Sequence, residues 1–214
     1  MPKAKLGVPL SRHFYDRDPR LIGPELLGKV LVRREGERLL VARIVETEAY
    51  LGADDLAAHA ASGKTARNAV LFGPPGYAYV YFIYGNHYCL NVSCLPDGTP
   101  GGILFRAAEP LYGIEEMARR REVEITLPGD LRKLTSGPGR LAEAFGITRD
   151  GDNGKDLTTA RSDLFIVDDD FGRVHMLATK RIGITKSPNP LLRYVVEGNP
   201  FVSGPPKFNR RSES

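Results

Sequence analysis

The length, composition and charge of the chain exclude several classes of protein. Its 214 residues are 42% hydrophobic and 26% charged, which is typical of a globular domain whose core needs no disulfide or metal. The two cysteines, Cys89 and Cys94, stand in an apolar run and are predicted to be buried thiols of a reducing compartment. The net charge of +4 permits nucleic-acid binding without requiring it. No apolar signal segment or bilayer-spanning stretch is evident, so we expect a cytoplasmic protein without a membrane partner.

The first half of the chain predicts one helix and four strands. Asp18 is a candidate cap for a helix that runs through Leu27 and ends at Gly28 in a left-handed conformation. The segment Asp54–Ala61, which carries His59, is predicted to be a short helix or a loop. The strands are Lys29–Arg34, Leu39–Glu48, Tyr77–Ile83 and Tyr88–Cys94.

The second half predicts two further helices and five strands. Pairs of opposite charge, Glu115 with Arg119 and Glu116 with Arg120, support a helix over Gly113–Glu122. A short helix, Arg140–Phe145, follows a loop rich in glycine. The strands are Gly102–Ala107, Leu164–Val167, Arg173–Ala178, Arg181–Thr185 and Leu192–Glu197.

The order of these elements indicates the fold class. Strands and helices do not alternate regularly, which favours an α+β (mixed α/β) fold over a doubly wound one. We predict a single domain, residues 1–204, with a curved antiparallel β-sheet, flanking helices and a protruding β-hairpin. The polar residues 205–214 are predicted to form a mobile C-terminal tail.

Glu48, at the end of the second strand, is a candidate acid–base group. Alternation along the strand places it on the same face as Ala42, Ile44 and Glu46. A carboxylate that continues a partly apolar face lies either in water at the sheet edge or in a cleft. In a cleft, loss of solvation raises a carboxylate's pKa, which suits a general base. From this strand alone, the solvated position is the commoner one.

The hairpin that follows is rich in tyrosine. Tyr79, Tyr81 and Ile83 share one face, and Tyr84 stands next to the turn formed by Gly85 and Asn86. An aromatic ring at a hairpin tip has little core to pack against and is suited to stack on a nucleic-acid base, which contributes about 1–3 kcal/mol. Ordinary cross-strand packing is the alternative for these tyrosines.

The length of the hairpin turn is open from the sequence. A two-residue turn pairs Tyr84 with His87 and sets Tyr81 opposite Leu90. A three-residue turn pairs Tyr84 with Tyr88 and sets Tyr81 opposite Asn91. Of these two registers, only the second places Tyr81 and Asn91 on one face.

Other polar residues are weaker candidates. Arg106 interrupts an apolar strand and needs an anionic partner if it is buried, either Glu48 or a phosphate. His59 fits a ligand, a hydrogen-bond donor to a bound base, or a surface residue. The four histidines lack metal-ligand spacing, so no metal is expected. The run Asp168–Asp170 with His175 could bind a divalent ion, but the following Phe171 and Gly172 favour an acidic turn.

Several segments, in their order and spacing, resemble one family over nearly the whole chain. They are Arg43–Gly52, Ala57–His59, Thr65–Asn68, Tyr79–Gly85, Cys89–Ser93, Leu104–Ala107, Ser136–Pro138 and Arg193–Ser203. Together they resemble the alkyladenine (3-methyladenine) DNA glycosylases, which are monofunctional base-excision enzymes. The resemblance implies a single mixed α/β domain around a curved antiparallel sheet. It also implies a DNA repair hydrolase that uses no metal or cofactor and acts on double-stranded DNA containing damaged bases.

The resemblance also implies roles for individual residues in the reaction. Glu48 is the expected general base that deprotonates the attacking water, and Arg106 is expected to help hold that water. The product is then an abasic site and a free base. A bifunctional enzyme needs an amine nucleophile in the pocket, and the sequence places neither Lys64 nor another lysine there.

The remaining implied roles concern the flipped base. Tyr50, His59 and Tyr81 are the expected pocket walls, Asn91 is the expected gate against the exocyclic amine of guanine, and Tyr84 is the expected wedge that fills the gap in the DNA. The sequence leaves open which damaged purine is preferred and which basic residues contact phosphates. We expect a monomer, since the enzyme must slide along duplex DNA.

Two other functions remain possible from the residues alone. One is a non-catalytic nucleic-acid-binding module, although a carboxylate such as Glu48 weakens binding to anionic DNA. The other is a metal hydrolase built on Asp168–Asp170 and His175. Base release in the presence of a chelator separates the three functions.

Overall fold

One curved sheet of antiparallel strands is the centre of this computed structural model, which describes residues 7–83, 85, 87–186 and 190–205. The strands in the described part are β1 (Val30–Glu35), β2 (Arg38–Tyr50), β3 (Ala78–Ile83), β4 (His87–Ser93), β5 (Gly102–Tyr112), β6 (Leu164–Val167), β7 (Met176–Thr179) and β8 (Arg193–Val196). They are ordered β3-β4-β5-β2-β1-β6, and β8 pairs with both the second half of β2 and β7. The predicted α+β fold with a curved antiparallel sheet is confirmed.

Short helices flank the sheet. They are α1 (Arg12–Tyr15), α2 (Pro19–Glu25), α3 (Ile114–Arg121), α4 (Arg132–Thr135), α5 (Pro138–Ala144) and α6 (Arg149–Asp152), with 3₁₀ turns at Ala69–Phe72 and Pro128–Leu131. Asp18 caps α2 as predicted, since its carboxylate accepts the Arg20 backbone N–H at 2.8 Å. Arg120 pairs with Glu116 as predicted, but Arg119 also pairs with Glu116 rather than with Glu115. No helix in the described part of the chain is long and apolar enough to cross a membrane.

The main core lies between one face of the sheet and helices α2, α3 and α5. Its largest members come from all of these elements and include Ile22, Ile44, Phe105, Met117 and Phe145, each fully buried. Burial of a side chain of this size contributes about 1.5–3 kcal/mol. The opposite face of β2, β3, β4 and β5 is covered only in part, by the 3₁₀ turn Ala69–Phe72 and by the start of α5.

Three irregularities interrupt the pairing of β2 with β5, and the two between Ile44 and Thr47 change which side chains near the site face the core. Ile44 pairs with Ala108 and Glu46 with Ala107, so Val45 is an extra residue on β2. Glu46 pairs with Ala107 and Thr47 with Phe105, so Arg106 is an extra residue on β5. Each insertion of one residue reverses the alternation of its strand.

The prediction that Glu48 shares the face of Ala42 and Ile44 is therefore wrong. Ala42 and Ile44 lie in the main core, and beyond the bulge the core residue is Ala49. Thr47 also points to the helical side, where its hydroxyl donates to the Gly23 carbonyl of α2 at 2.9 Å. Glu46 and Glu48 consequently lie on the opposite face of the sheet.

The register of the β3–β4 hairpin differs from both predicted registers. Tyr79 lies opposite Asn91, Tyr81 opposite Cys89 and Ile83 opposite His87, which is the last pair before the turn. Directly paired residues point to the same face, so Tyr79, Tyr81, Cys89 and Asn91 share one face. Tyr81 and Asn91 therefore meet on one face, although they are not paired. The Tyr84 wedge lies outside the described residues and stays a prediction.

The C-terminal part contains one predicted strand that does not form. The segment 181–186 is a loop, because the Ile182 N–H donates to the Glu48 carboxylate instead of to a neighbouring strand. The preceding strand begins later than predicted, at Met176 rather than Arg173. The predicted mobile tail lies outside the described residues apart from Pro205.

Candidate active site

A cavity of about 700 Å³ opens on the sheet face opposite the main core. It is lined by side chains from β2, β3, β4 and β5, by the loop 56–62, by residues 136–140 at the start of α5 and by the loop 182–186. Its volume falls within the roughly 300–1,000 Å³ of typical ligand pockets. Tyr50, His59, Tyr81 and Arg106 all line it, so the fold brings together four of the predicted site residues.

Glu48 lies directly behind the wall of this cavity and is fully buried. Its Oε2 accepts the Tyr50 hydroxyl at 3.0 Å, and its Oε1 accepts the Ile182 N–H at 2.9 Å. Arg106 Nη1 lies 3.4 Å from the same Oε1. These three partners line the cavity, whereas Glu48 itself does not. The carboxylate is therefore buried directly behind the cavity wall and is not solvated at the sheet edge.

A second carboxylate, Glu46, anchors Arg106 from the other side. Glu46 Oε1 accepts Arg106 Nε at 3.0 Å and Arg193 Nε at 2.6 Å. Burial opposes ionisation of Glu46, but the two arginines and the Ser203 backbone N–H outweigh it and lower its pKa. No pattern in the sequence assigns a role to Glu46, Arg193 or Ser203, although all three fall within segments that carry the family resemblance.

An aromatic cluster forms one wall of the cavity. The His59 ring stands edge-on to Tyr81, with ring centroids 4.4 Å apart and planes at 81°, and His59 Nδ1 lies 3.0 Å from the Tyr79 hydroxyl. Partial desolvation and then the positive charge of Arg67 lower the pKa of His59, so the ring is neutral near pH 7. Desolvation also raises the pKa of Tyr81, which keeps its hydroxyl protonated.

Asn91 lies behind this cluster. Its Nδ2 donates to the Tyr79 carbonyl at 3.1 Å, and the residue is buried. It lines a second, smaller cavity of about 60 Å³ that shares Tyr50, His59 and Tyr81 with the large one. Asn91 thus lies next to the predicted pocket walls, in the smaller cavity and not in the lining of the large one.

The loop that carries His59 is held closed by one buried side chain. Asn68 Nδ2 donates to the His59 carbonyl at 2.9 Å and to the Gly63 carbonyl at 3.0 Å. Its Oδ1 accepts the Thr65 N–H at 2.7 Å. These bonds explain why a segment without regular secondary structure keeps His59 against the tyrosines.

A buried ion pair fixes Tyr50 on the other side of the cavity. Arg181 donates to both carboxylate oxygens of Asp55, at 2.5 and 2.8 Å, and to the Ala49 carbonyl at 3.0 Å. Its guanidinium also lies 4.7 Å from the centre of the Tyr50 ring. Arg181 therefore ties the start of the loop 182–186 to the end of β2. No local pattern in the sequence indicates this pair, because its members are 126 positions apart.

The cysteines and the acidic run contribute no metal site. Cys89 and Cys94 are free and buried, as predicted, and burial raises the pKa of Cys89 to about 11. Asp169 pairs with Arg43 at 2.7 Å, and Asp168 pairs with Lys29. Among the residues that the structure describes, no group of three or more potential metal ligands converges. The donor set of a metal hydrolase is thus missing from that part of the chain.

Lysine and arginine side chains border the mouth of the cavity. Arg140 and Lys186 both line it and are exposed to solvent. The expectation that no lysine lies at the site is therefore corrected by Lys186. Its position in the sequence, directly after the predicted strand Arg181–Thr185, did not reveal this, because that segment is a loop that borders the cavity.

Comparison with known proteins identifies the family. The profile of the family described as methylpurine-DNA glycosylase (MPG) matches residues 13–200. The chain belongs to the methylpurine-DNA glycosylase family. A protein of Koribacter versatilis (strain Ellin345) is 67% identical over 206 residues, which cover 95% of this chain and 98% of the relative. Relatives from Burkholderia lata and Alkaliphilus oremlandii are 46% and 42% identical, over 93% and 91% of this chain and 93% and 98% of their own. All three are provisionally named 3-methyladenine DNA glycosylases.

Membership of the methylpurine-DNA glycosylase family confirms the resemblance found in the sequence. It makes the chain a DNA repair glycosylase, a hydrolase that acts on N-glycosyl bonds, with DNA as its substrate. The roles of single residues are not decided by these comparisons and stay predictions.

Proposed function

We propose that this chain is a monofunctional 3-methyladenine DNA glycosylase that extrudes a damaged purine, alkylated or deaminated, from duplex DNA and hydrolyses its N-glycosidic bond. One observation carries the proposal: a fully buried carboxylate, Glu48, is held by Tyr50, Arg106 and the Ile182 N–H directly behind the wall of an aromatic cavity. The names of relatives with 42–67% identity support the same substrate.

Extrusion of the base is the first step. Removing a nucleotide from the stack costs a few kcal/mol, and least at a damaged or poorly paired site. We infer that Tyr84 stacks in the vacated position and offsets part of this cost. The exposed Arg140 and Lys186 at the cavity mouth supply positive charge where the phosphates of the extruded nucleotide pass.

The aromatic walls select the base. Bases such as 3-methyladenine are cationic or electron-poor, and aromatic faces attract cations. A neutral His59, with its lowered pKa, does not repel such a base. Asn91, in the smaller cavity next to the pocket walls, is proposed to reject the exocyclic amine of guanine. The pocket therefore favours alkylated purines over normal ones.

Cleavage follows from the position of Glu48. Breaking the N-glycosidic bond passes through an oxocarbenium-like sugar, whose positive charge a nearby carboxylate stabilises. The same carboxylate takes a proton from the attacking water, and Arg106 holds that water in place. General-base catalysis contributes about 10²–10⁴-fold to the rate. With water as the nucleophile, the products are an abasic site and the free base.

The site of action follows from the substrate. The relatives are bacterial proteins, so we propose that the enzyme works in the cytoplasm, at the nucleoid. Sliding along duplex DNA is compatible with a single copy, and we propose a monomer. Sedimentation velocity with and without a duplex tests the oligomeric state.

Single-turnover base release from a duplex with one hypoxanthine, and from methylated DNA, tests the proposal in the presence of a chelator. The wild type should release both bases, and Glu48→Gln should lower the rate by about 10²–10⁴-fold. Asp152→Asn is the matched control, because Asp152 is a buried carboxylate paired with Arg33 on the other face. Binding without release by the wild type would indicate the binding module instead.

A borohydride trap tests the choice of nucleophile. An amine nucleophile forms an imine with the sugar, which borohydride reduces to a covalent protein–DNA adduct. Because Lys186 lies at the cavity mouth, wild type and Lys186→Ala should be compared. We expect no adduct with either protein. An adduct that Lys186→Ala abolishes would contradict the monofunctional reaction.

A further inference from the structure

Glu46 is a buried carboxylate next to the cavity that does not line it. It is fully buried, and its two oxygens accept four hydrogen bonds. Two come from Arg106 and Arg193, and two come from Ser203, through its N–H at 2.6 Å and its hydroxyl at 2.9 Å. All of its close partners are thus fixed in the interior.

We propose that Glu46 is a positioning residue for base release, because it holds the Arg106 guanidinium in the plane that faces Glu48. This inference rests on the proposed function. The guanidinium is a rigid planar fork, so fixing one nitrogen restricts the others. Arg106 Nε is held by Glu46 at 3.0 Å, which leaves Nη1 3.4 Å from Glu48 and Nη2 3.5 Å from the Ser203 hydroxyl.

The charge of Glu46 is as important as its geometry. Glu46 and Glu48 carry two negative charges, and Arg106 and Arg193 carry two positive charges in the same buried cluster. Without the charge of Glu46, Arg106 is left to Glu48 alone. A carboxylate that pairs more strongly with a cation is a weaker base. Glu46 therefore keeps Glu48 available to take a proton from water.

Other groups around Glu48 complete its electrostatic surroundings. Tyr50 lies on the same strand, Arg106 on β5 and Cys89 on β4, and Arg181 lies in the segment after β7. Protonated tyrosine and thiol side chains are neutral near pH 7, and Arg181 is already paired with Asp55. Arg106 is therefore the cation whose pairing with Glu48 depends on the charge of Glu46.

A purely structural role for Glu46 gives a different expectation. A buried ion pair also stabilises the packing of β2 against β5 and β8, and its loss would lower the amount of folded enzyme. That effect reduces the apparent activity equally at all pH values. It leaves the shape of the pH–rate profile unchanged, which provides the distinction.

The test is single-turnover hypoxanthine release with saturating enzyme, measured as a function of pH and of enzyme concentration. Glu46→Gln retains the size of the side chain and removes its charge. We expect the rate of the chemical step to fall about 10–100-fold, a part of the contribution of the general base. The acid limb of the profile should move to lower pH, while the concentration for half-saturation with DNA changes less than about twofold.

Two further variants keep the inference falsifiable. Glu46→Asp keeps the charge but is too short to reach both arginines, so the rate should fall with an unshifted acid limb. If Glu46→Gln does not fold, the rate and pH–rate profile of Glu46→Asp provide the test. Asp152→Asn removes a buried carboxylate from another ion pair and should change neither the rate of the chemical step nor the profile.

The outcomes separate this inference from the proposed function. A wild type that releases no base from either the hypoxanthine duplex or methylated DNA would contradict the proposed function itself. An active wild type whose Glu46→Gln profile has the same shape, with a rate within about twofold per folded molecule, would overturn the positioning role alone. The same shift of the acid limb in Asp152→Asn would also overturn it, because the effect would then not depend on Arg106.

Discussion

The buried pair of Arg181 and Asp55 offers a quantitative test of how the cavity wall is held. The side chains are 1% and 3% exposed, and Arg181 also stacks on Tyr50. Arg181→Met fills most of the space but leaves the Asp55 carboxylate without its cation. Removal of one partner from a buried ion pair costs about 3–5 kcal/mol.

The lower end of that range applies here. The Asp55 carboxylate keeps two backbone donors, the N–H groups of Leu51 at 3.2 Å and Ala57 at 3.1 Å. We therefore expect a loss of about 3 kcal/mol in the free energy of unfolding. For a chain of this size, that loss corresponds to a fall in Tm of roughly 6–12 °C.

A double-mutant cycle separates the pair from its surroundings. Urea unfolding of wild type, Arg181→Met, Asp55→Asn and the double variant gives the coupling energy. The double variant should lose less than the sum of the single changes, because it buries no unpaired charge. Arg17→Met is the control, since Arg17 and Glu25 form an exposed pair that contributes about 0–1 kcal/mol.

A loss below about 1 kcal/mol for Arg181→Met, together with strictly additive changes in the cycle, would show that the pair does not stabilise the cavity wall. If only the loop around residues 51–68 opens, global unfolding will report a smaller cost. Hydrogen exchange of the Leu51 and Ala57 N–H groups detects that case. Base release by Arg181→Met should also slow, because Tyr50 loses its stacked neighbour.

Two further predictions concern pH and packing. In Glu46, Asp55 and Asp152, burial opposes ionisation but basic partners and hydrogen bonds lower the pKa. As the pH falls, the unfolded chain therefore takes up protons before the folded chain does. The free energy of unfolding should fall as the pH drops below about 4 and be retained above that pH. Urea unfolding at several pH values measures this dependence, and a free energy that does not change with pH contradicts it. Gly139→Ala places a Cβ 2.9 Å from His87 Cγ, so it should lower the free energy of unfolding by about 1–3 kcal/mol and slow base release. Gly129→Ala is the control, because the space around Gly129 is open, and it should change neither quantity.

The sequence supports the prediction of elements and of residue types better than that of pairings. Strands such as β1 and β6 agree with their predicted bounds within about two residues, since their apolar runs are continuous. The cap at Asp18 follows from local chemistry alone. The hairpin register was wrong in both predicted forms, because one residue of slip changes every cross-strand neighbour while the composition stays the same.

In the site, too, residue types could be predicted from the sequence better than pairings. Aromatic and carboxylate residues on strands pointed to Glu48, Tyr50 and Tyr81, and family motifs added His59 and Asn91. The supporting residues Glu46, Arg193 and Arg181 could not be assigned, because their partners are distant in sequence and a buried arginine has no local signature. The segment Arg181–Thr185 was predicted to be a strand, since its apolar residues fit the alternating pattern of a strand. It is a loop, because the Ile182 N–H donates to the Glu48 carboxylate.

The bulges at Val45 and Arg106 explain how one long strand serves both the core and the site. Before its bulge, β2 sends Ala42 and Ile44 into the core, and a regular strand would have sent Glu46 and Glu48 there as well. Two ionised carboxylates in an apolar core would be costly. The extra residue turns both toward Arg106, which the second bulge presents from β5. The bulge at Val45 is therefore what keeps both carboxylates out of the apolar core while Ala42, Ile44 and Ala49 of the same strand remain in it.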